Sequence, residues 1–146
     1  MKNILYTSIL ILIGLISTAC ASKATETPSF REDLPYIPQP GDSEMQRDEI
    51  SIESSMLAST RSLPPQMMLR FTYFPPTACH QLRVEVSAPD AQNKIHVSAY
   101  AVVEKDTACI LMAIVTPLDA SLGLGVYPTG HYDLLLNGTS IGEFDT

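Results

Sequence analysis

The sequence predicts an all-β domain over residues 49–146, built as a sandwich of about seven short antiparallel strands. Two observations predict this fold. From Glu49 onward, apolar and polar residues alternate with a period of two, which is the pattern of strands that bury one face. Turn-forming Pro, Gly, Asn and Asp residues interrupt the alternation about every eight to twelve positions, a spacing typical of all-β sandwiches.

Residues 1–20 have the pattern of an export signal. Lys2 precedes the apolar run Ile4–Ile16, which is too short to cross a bilayer comfortably, and the small residues Ser17–Ala19 lead to Cys20. The segment resembles a bacterial lipoprotein signal peptide. The resemblance implies that Cys20 is lipidated, becomes the first residue of the mature protein and anchors it to a membrane, facing the periplasm or the cell exterior. An ordinary cleaved signal peptide is the alternative.

Residues 21–48 predict a disordered tether. The segment contains four prolines, several acidic and hydroxyl side chains, and no sustained hydrophobic period. It cannot bury enough apolar surface to offset the entropy lost on ordering. We therefore expect a semi-extended linker between the membrane and the domain. A binding segment built on Leu34–Pro38 is the alternative.

Strand-like segments follow in the order of the chain. Ile50 and Ile52 give the first alternation, and a longer one from Met67 to Tyr73 ends at a Pro-Pro pair, which cannot donate to a strand ladder. Two alternating runs around the turn 89–93 predict a hairpin. The remaining candidates are the apolar run Ile110–Val115, which fits a buried strand or a short helix, a weaker strand at 118–124, and two runs at 130–136 and 140–144.

The last two runs are joined by Asn137 and Gly138. Asn-Gly is the strongest short hairpin signal, because both turn residues must adopt positive φ. Gly130 and Tyr132 open the first of these runs, and a Gly-x-Tyr at this point resembles the tyrosine corner of immunoglobulin-like domains. The resemblance implies an immunoglobulin-like β-sandwich in which these four residues are structural, although the chain contains no tryptophan.

Cys79 and Cys109 are the two cysteines that follow Cys20. In an oxidising compartment such a pair is bridged more often than free, so we predict a disulfide. It would close a loop of about 31 residues, which corresponds to roughly 3–4 kcal/mol in the chain-entropy treatment. The chain from Ile50 to Phe144 is also similar to uncharacterised exported bacterial domains, and this similarity implies no activity. The shared motifs are Glu53-Ser54, Pro65-Gln66, the cysteine pair, Gly130-x-Tyr132, Asn137-Gly138 and Phe144.

The chain is acidic, with nine Lys and Arg residues against sixteen Asp and Glu residues and a formal net charge of −7. Nucleic-acid binding needs clustered basic residues, which this sequence lacks. Electrostatic adhesion to anionic lipid needs the same. We therefore expect no nucleic-acid partner, and we expect membrane attachment through the lipid anchor alone.

The three histidines, His80, His96 and His131, are the candidates for a metal centre. Imidazole is the commonest ligand of zinc and copper in proteins, but no two of these histidines share a metal-binding spacing. We interpret all three as surface side chains and expect no cofactor. Cys79 and His80 are not predicted to act as nucleophile and base, because neighbours on a strand point to opposite faces. No catalytic residue is predicted.

The sequence thus favours a non-enzymatic binding or structural module of the bacterial cell envelope, with a protein or a glycan as its partner. The expected contact surfaces are the loops 74–78, 104–108 and 125–129 at the ends of the sandwich. Two alternatives remain. One is a metal-dependent envelope enzyme that uses His80, His96 and His131, and the other is a secreted protease-inhibitor-like domain.

Overall fold

The computed structural model of the protein describes residues 36–63, 65–109 and 116–146. These residues form two β-sheets with a common core, which confirms the predicted all-β sandwich. The predicted export signal with Cys20, the first part of the predicted tether and the run Ile110–Val115 lie outside the described residues. Within the three described stretches, no helix is long and apolar enough to cross a membrane. A 3₁₀ turn at Pro40–Glu44 is followed by β1 (Gln46–Glu49), β2 (Ser51–Ser59), β3 (Met67–Phe74), β4 (Gln81–Val86), β5 (Lys94–Val103), β6 (Leu118–Gly125), β7 (His131–Leu136) and β8 (Thr139–Asp145).

The larger sheet is organised around β5. β4 pairs along one edge of β5, while the other edge is shared by two strands. β7 runs parallel to Lys94–Val97, and β1 runs antiparallel to Tyr100–Val103. β8 extends this sheet beyond β7, and the smaller sheet has the order β2-β3-β6. The β5–β7 pair is parallel and the other strand pairs of the described chain are antiparallel.

The core is formed by the inward-facing residues of both sheets. In β3, burial follows the predicted alternation, with Met67, Leu69, Phe71 and Tyr73 buried and their neighbours more exposed. Each sheet thus contributes one apolar face, and packing the two faces together removes both from water.

β4 and β5 form the predicted hairpin. The Asp90 carboxylate accepts hydrogen bonds from the N–H groups of Gln92 and Lys94, at 2.8 and 2.9 Å. Asn93 adopts a φ of 58°, which Asn tolerates better than most residues. The turn predicted at 89–93 is therefore formed by the side-chain hydrogen bonds of Asp90 and by the left-handed backbone of Asn93.

The packed part of the chain begins earlier than predicted. Residues 36–48, which the sequence assigns to the tether, lie against the larger sheet because they satisfy two of its groups. The carbonyl of Tyr36 accepts a 2.7 Å hydrogen bond from the N–H of Val84. Asp42 forms a bidentate ion pair with Arg83, at 2.7 and 3.1 Å. Arg83 lies on the polar side of its strand, yet it is 4% exposed because this segment covers it.

Ile50 marks the point where the chain passes from one sheet to the other. β1 pairs with β5 in the larger sheet, whereas β2 pairs with β3 in the smaller one. The sequence predicts one strand here, because Ile50 and Ile52 keep the same alternation. The structure divides that strand, and the buried Ile50 side chain packs into the core at the corner.

Candidate functional site

A groove of about 780 Å³ opens beside this crossing. Its floor is β5 at residues 98–100. One wall comes from the chain between Arg47 and Ser55, and the other from the β7–β8 turn between Leu136 and Ile141. A cavity of this size can hold a small ligand or a short segment of another chain.

The floor of the groove is a gap in the sheet that Asn137 bridges. β7 covers the edge of β5 as far as Val97, and β1 begins to cover it at Tyr100. Between them, the side-chain amide of Asn137 accepts a 2.7 Å hydrogen bond from the N–H of Ala99 and donates a 2.9 Å bond to its carbonyl. The N–H of Asn137 donates to the Val97 carbonyl at 2.9 Å. Asn137 therefore replaces a strand residue and satisfies the backbone of Ala99.

Each wall of the groove carries a β-bulge. The register between β2 and β3 skips Glu53, and the register between β8 and β7 skips Ile141. Both skipped residues line the groove. Because a bulge re-aims a side chain and interrupts the ladder, bulges recur beside binding and active sites. Here two of them, on strands of different sheets, meet at one cavity.

Arg47 is held at the rim of the groove. Its guanidinium carbon lies 3.5 Å from the centroid of the Tyr100 ring, and a guanidinium nitrogen lies 3.8 Å from the Glu85 carboxylate. The Tyr100 hydroxyl donates a 2.5 Å hydrogen bond to the same carboxylate. Burial, together with the Glu85 carboxylate, raises the pKa of Tyr100 to about 12, so the phenol stays protonated.

The groove is lined by more negative than positive groups. Asp48, Glu49 and Glu53 contribute carboxylates, and Arg47 contributes a cation that is already engaged. Asp48 is hydrogen-bonded to His80. Glu49 and Glu53 make no ion pair with another residue of the described chain. Two carboxylates of the groove are therefore available to a positively charged ligand.

A chain of hydrogen bonds leads from the groove toward the disulfide. Asp48 Oδ2 lies 2.9 Å from Nε2 of His80, and Nδ1 of His80 lies 2.7 Å from Oγ1 of Thr77. Thr77 Oγ1 in turn lies 3.1 Å from Sγ of Cys109. The hydrogen bond from His80 lowers the pKa of the Asp48 carboxyl. The prediction of a surface imidazole is wrong for His80, whose side chain is 6% exposed because Asp48 and Thr77 enclose it.

This series of hydrogen bonds contains the three groups of a hydrolase triad, namely a hydroxyl, an imidazole and a carboxylate. Its geometry, however, fits a structural role. Thr77 is 7% exposed, and its hydroxyl oxygen also accepts a 3.3 Å hydrogen bond from the N–H of Cys79. A nucleophile needs space for a substrate carbonyl beside its oxygen. Thr77 lacks that space, and its contacts tie the disulfide loop to β1 through His80.

The other two histidines lie on exposed strand surfaces. Nε2 of His96 is 3.3 Å from Asp90, and Nδ1 of His131 is 2.8 Å from Asp145. The structure does not bring them together with His80. No group of three His, Cys, Asp or Glu residues suited to a metal ion occurs in the described part of the chain.

Cys79 and Cys109 are bridged, as predicted, with their Cα atoms 6.0 Å apart. The bridge joins the turn before β4 to the loop after β5. Two of the loops predicted as contact surfaces, 74–78 and 104–108, are therefore held at the same end of the sandwich.

The four residues predicted to be structural lie at the two ends of β7. Gly130 and Tyr132 are at its start, and Asn137 and Gly138 form the turn that joins it to β8. The Tyr132 hydroxyl donates a 3.0 Å hydrogen bond to the Pro128 carbonyl. A Cβ atom added at Gly130 would lie 3.4 Å from the Tyr132 ring, so the glycine leaves room for this side chain. Asn137 and Gly138 adopt φ values of 48° and 84°, as an Asn-Gly hairpin turn requires.

Sequence reasoning missed several polar residues of this region. Thr77, Asp42 and Arg83 are buried or covered by contacts with residues distant in the chain, and no local pattern reports such contacts. The bulge at Glu53 also has no local signal, because Ser and Glu occur at many exposed strand positions. The bulge on β8 could have been suspected from Gly142, since glycine inside a strand often accompanies a bulge.

Comparisons with known proteins identify the domain but no activity. No curated protein and no solved structure matches the chain. A family model described as the ORF11 beta-sandwich domain matches residues 69–146. The match runs from within β3 to the last residue, so it contains the disulfide and the floor of the groove, whereas β1 and β2 precede it. Since the match covers more than half of the sequence, the chain belongs to the ORF11 beta-sandwich domain family.

Proposed function

We propose that this protein is a lipid-anchored, non-enzymatic module of the bacterial cell envelope that binds a partner in the groove between β2 and the β7–β8 turn. The observation that carries the proposal is the meeting of two β-bulges at one cavity, through Glu53 and Ile141. Regular ladders would stabilise these edge strands better. The two interruptions are therefore best explained by what they present to the groove.

Binding is favoured over catalysis by the state of the reactive groups. The imidazole nearest to the groove, His80, has both nitrogens within hydrogen-bond distance of protein partners. The Tyr100 phenol is buried and donates to Glu85. Neither group is placed to exchange a proton with a bound molecule. The carboxylates and hydroxyls that face the groove are suited to recognition.

The envelope location is supported by the N-terminal sequence and by the disulfide. The export signal ends at Cys20, and a bridge such as Cys79–Cys109 persists mainly in oxidising compartments. We propose that Cys20 carries the lipid and that the domain faces the periplasm or the cell exterior. The Tyr132 corner supports an immunoglobulin-like type of sandwich.

Site-directed photocrosslinking in intact cells tests the binding function. A benzophenone amino acid replaces Thr139 at the lip of the groove, and in a control it replaces Gln92 in the exposed β4–β5 turn. We expect a discrete adduct of constant mass from position 139 and none from position 92. Adducts from both positions, or from neither, would contradict the groove as the binding site.

Membrane fractionation tests the anchor separately. Cys20→Ser removes the thiol that would carry the lipid, so the variant should appear as soluble or uncleaved protein while the parent stays with the membrane. An unchanged membrane fraction would show that attachment does not use Cys20.

A further inference from the structure

The two walls of the groove come from edge strands of different sheets. β2 is one of the two edge strands of the smaller sheet, and β8 is an edge strand of the larger one. Within the described part of the chain, neither has a hydrogen-bonded strand on its outer side. An unpaired edge offers a row of N–H and C=O groups, and the usual ligand of such an edge is another extended polypeptide.

β2 is accessible in its first half, residues 51–55, where most side chains are exposed. Further along, β2 lies against β8, since a Cβ atom added at Gly142 would lie 3.7 Å from the Leu57 side chain. The bulge at Glu53 lies at the start of the strand, and Glu53 and Glu49 both line the groove.

We infer that the groove receives an extended, basic polypeptide segment, which adds as a short strand to the edge of β2 at residues 51–55 and places Lys or Arg side chains against Glu49 and Glu53. The inference rests on the proposed function and names the class of its partner. Both carboxylates lack an ion pair within the described chain, so a cation would gain their attraction without breaking an existing contact. The same two charges repel an acidic segment, which gives the site a preference.

Backbone pairing explains why the partner is a polypeptide. A compact cation such as a polyamine would use the carboxylates and leave the strand edge unpaired. A strand would use both, and its alternate side chains would point toward the groove, where Ile52 and Ile141 supply apolar contacts between the charges.

Fluorescence anisotropy with defined peptides tests this inference on the full chain in a non-ionic detergent. The probe is a labelled eight-residue peptide of alternating Lys and Thr, compared with a peptide of alternating Glu and Thr. We expect the Lys peptide to bind, with an affinity that falls as salt is added, and the Glu peptide not to bind. Equal binding of the two peptides would overturn the proposal.

Matched variants locate the site. Glu49→Gln/Glu53→Gln should weaken binding of the Lys peptide by about fivefold or more, the effect of removing two partly exposed charge pairs. Glu44→Gln/Glu104→Gln removes the same charge from exposed positions outside the groove and should leave the affinity unchanged. Equal losses in both variants would show that the peptide senses only the net charge of the protein.

Backbone methylation tests the strand. A Lys peptide with N-methyl groups on alternate residues keeps its charge but loses half of its amide donors, so it should bind more weakly if it pairs with β2. Unchanged affinity would overturn strand addition. If instead the adduct from position 139 in cells contains a partner without a basic segment, this inference fails while the proposed binding function stands.

Discussion

Tyr132 and Pro128 are joined by a 3.0 Å hydrogen bond from the phenol hydroxyl to the carbonyl oxygen, which closes the turn before β7. The hydroxyl of Thr146 donates to the same oxygen. The Tyr132 ring packs against Tyr127 and Phe144, with centroids 5.3 and 5.4 Å away. One carbonyl and one aromatic cluster thus fix the turn, β7 and the last residue of the chain together.

Removing the Tyr132 hydroxyl should destabilise the domain modestly. In Tyr132→Phe the Pro128 carbonyl keeps its bond from Thr146, so the loss should be about 0.5–1.5 kcal/mol, that of one ordinary hydrogen bond. This corresponds to a fall in Tm of several degrees, since about 1 kcal/mol shifts the Tm of a domain of this size by about 4–8 °C. Calorimetry checks it. A variant that melts like the parent but gives no adduct from position 139 would place Tyr132 in a binding site.

Removing the hydroxyl of Tyr127, which packs against Tyr132, should instead stabilise the domain. The Tyr127 hydroxyl is buried and has no hydrogen-bond partner within the described part of the chain, and burial raises its pKa to about 12. Tyr127→Phe removes an unsatisfied polar atom that costs about 1–3 kcal/mol, so the variant should melt at a higher temperature than the parent. The two Tyr→Phe variants delete the same atom from one aromatic cluster. A loss of stability in both would show that Tyr127 has an unrecognised acceptor.

Asp42→Asn should destabilise the domain strongly. The change leaves the buried guanidinium of Arg83 without its counter-charge, and breaking such a pair typically costs about 3–5 kcal/mol. Urea denaturation measures the loss, with the exposed Glu44→Gln in the same 3₁₀ turn as the control. Equal stability of both variants would mean that the segment 36–45 contributes little to folding.

The pH dependence should show a small decline on the alkaline side from His131. The Asp145 carboxylate beside it raises the pKa of this imidazole. Because the pKa of His131 is higher in the folded than in the unfolded protein, its contact with Asp145 stabilises the fold fully below the unfolded pKa of about 6.5. This stabilisation is lost as the pH rises through the higher pKa of the folded state. His131→Gln should remove this decline in Tm between about pH 6 and 8. Asp145→Asn should reduce it while keeping the imidazole, since the Glu143 carboxylate still lies 3.3 Å from Nε2 of His131. A decline that persists in both variants must come from another group.

The disulfide should supply a large part of the stability. Cys79→Ala/Cys109→Ala frees a loop of about 31 residues in the unfolded chain, so it should cost roughly 3–4 kcal/mol. The measurement compares the urea midpoints of the parent and the variant under oxidising conditions. In a reducing agent their difference should disappear, and a difference that remains would point to lost packing of the cysteine side chains.

The strands and turns that local chemistry determines were predictable. The alternation around Leu69 and Ile95, the Asn137-Gly138 turn and the Gly-x-Tyr at Tyr132 each reflect backbone or burial preferences of neighbouring residues. The disulfide was predictable because only two cysteines follow Cys20 in the sequence. These features determine the fold class and the positions of most strands along the sequence.

The groove was not predictable, because it depends on pairings between distant segments. The parallel contact of β7 with β5 leaves the gap that Asn137 fills, and no periodicity reports which strands share an edge. The composition of residues 36–48 indicates disorder, yet Asp42 gains a buried partner in Arg83. The alternation at Ile50 is continuous, although the strand changes sheets there.

The contacts of residues 36–49 determine how the domain meets a mechanical load. A pull along the chain from its N-terminal side first meets the hydrogen bond and the core packing of Tyr36, then the ion pair of Asp42, and only then the ladder of β1. If Cys20 is the point of attachment, about 15 residues precede Tyr36 and extend at most about 50 Å. Beyond that reach, the ion pair would break before a strand is drawn from the sandwich. The release of residues 36–45 would then lengthen the link to the point of attachment while β5, the floor of the groove, stays in its sheet.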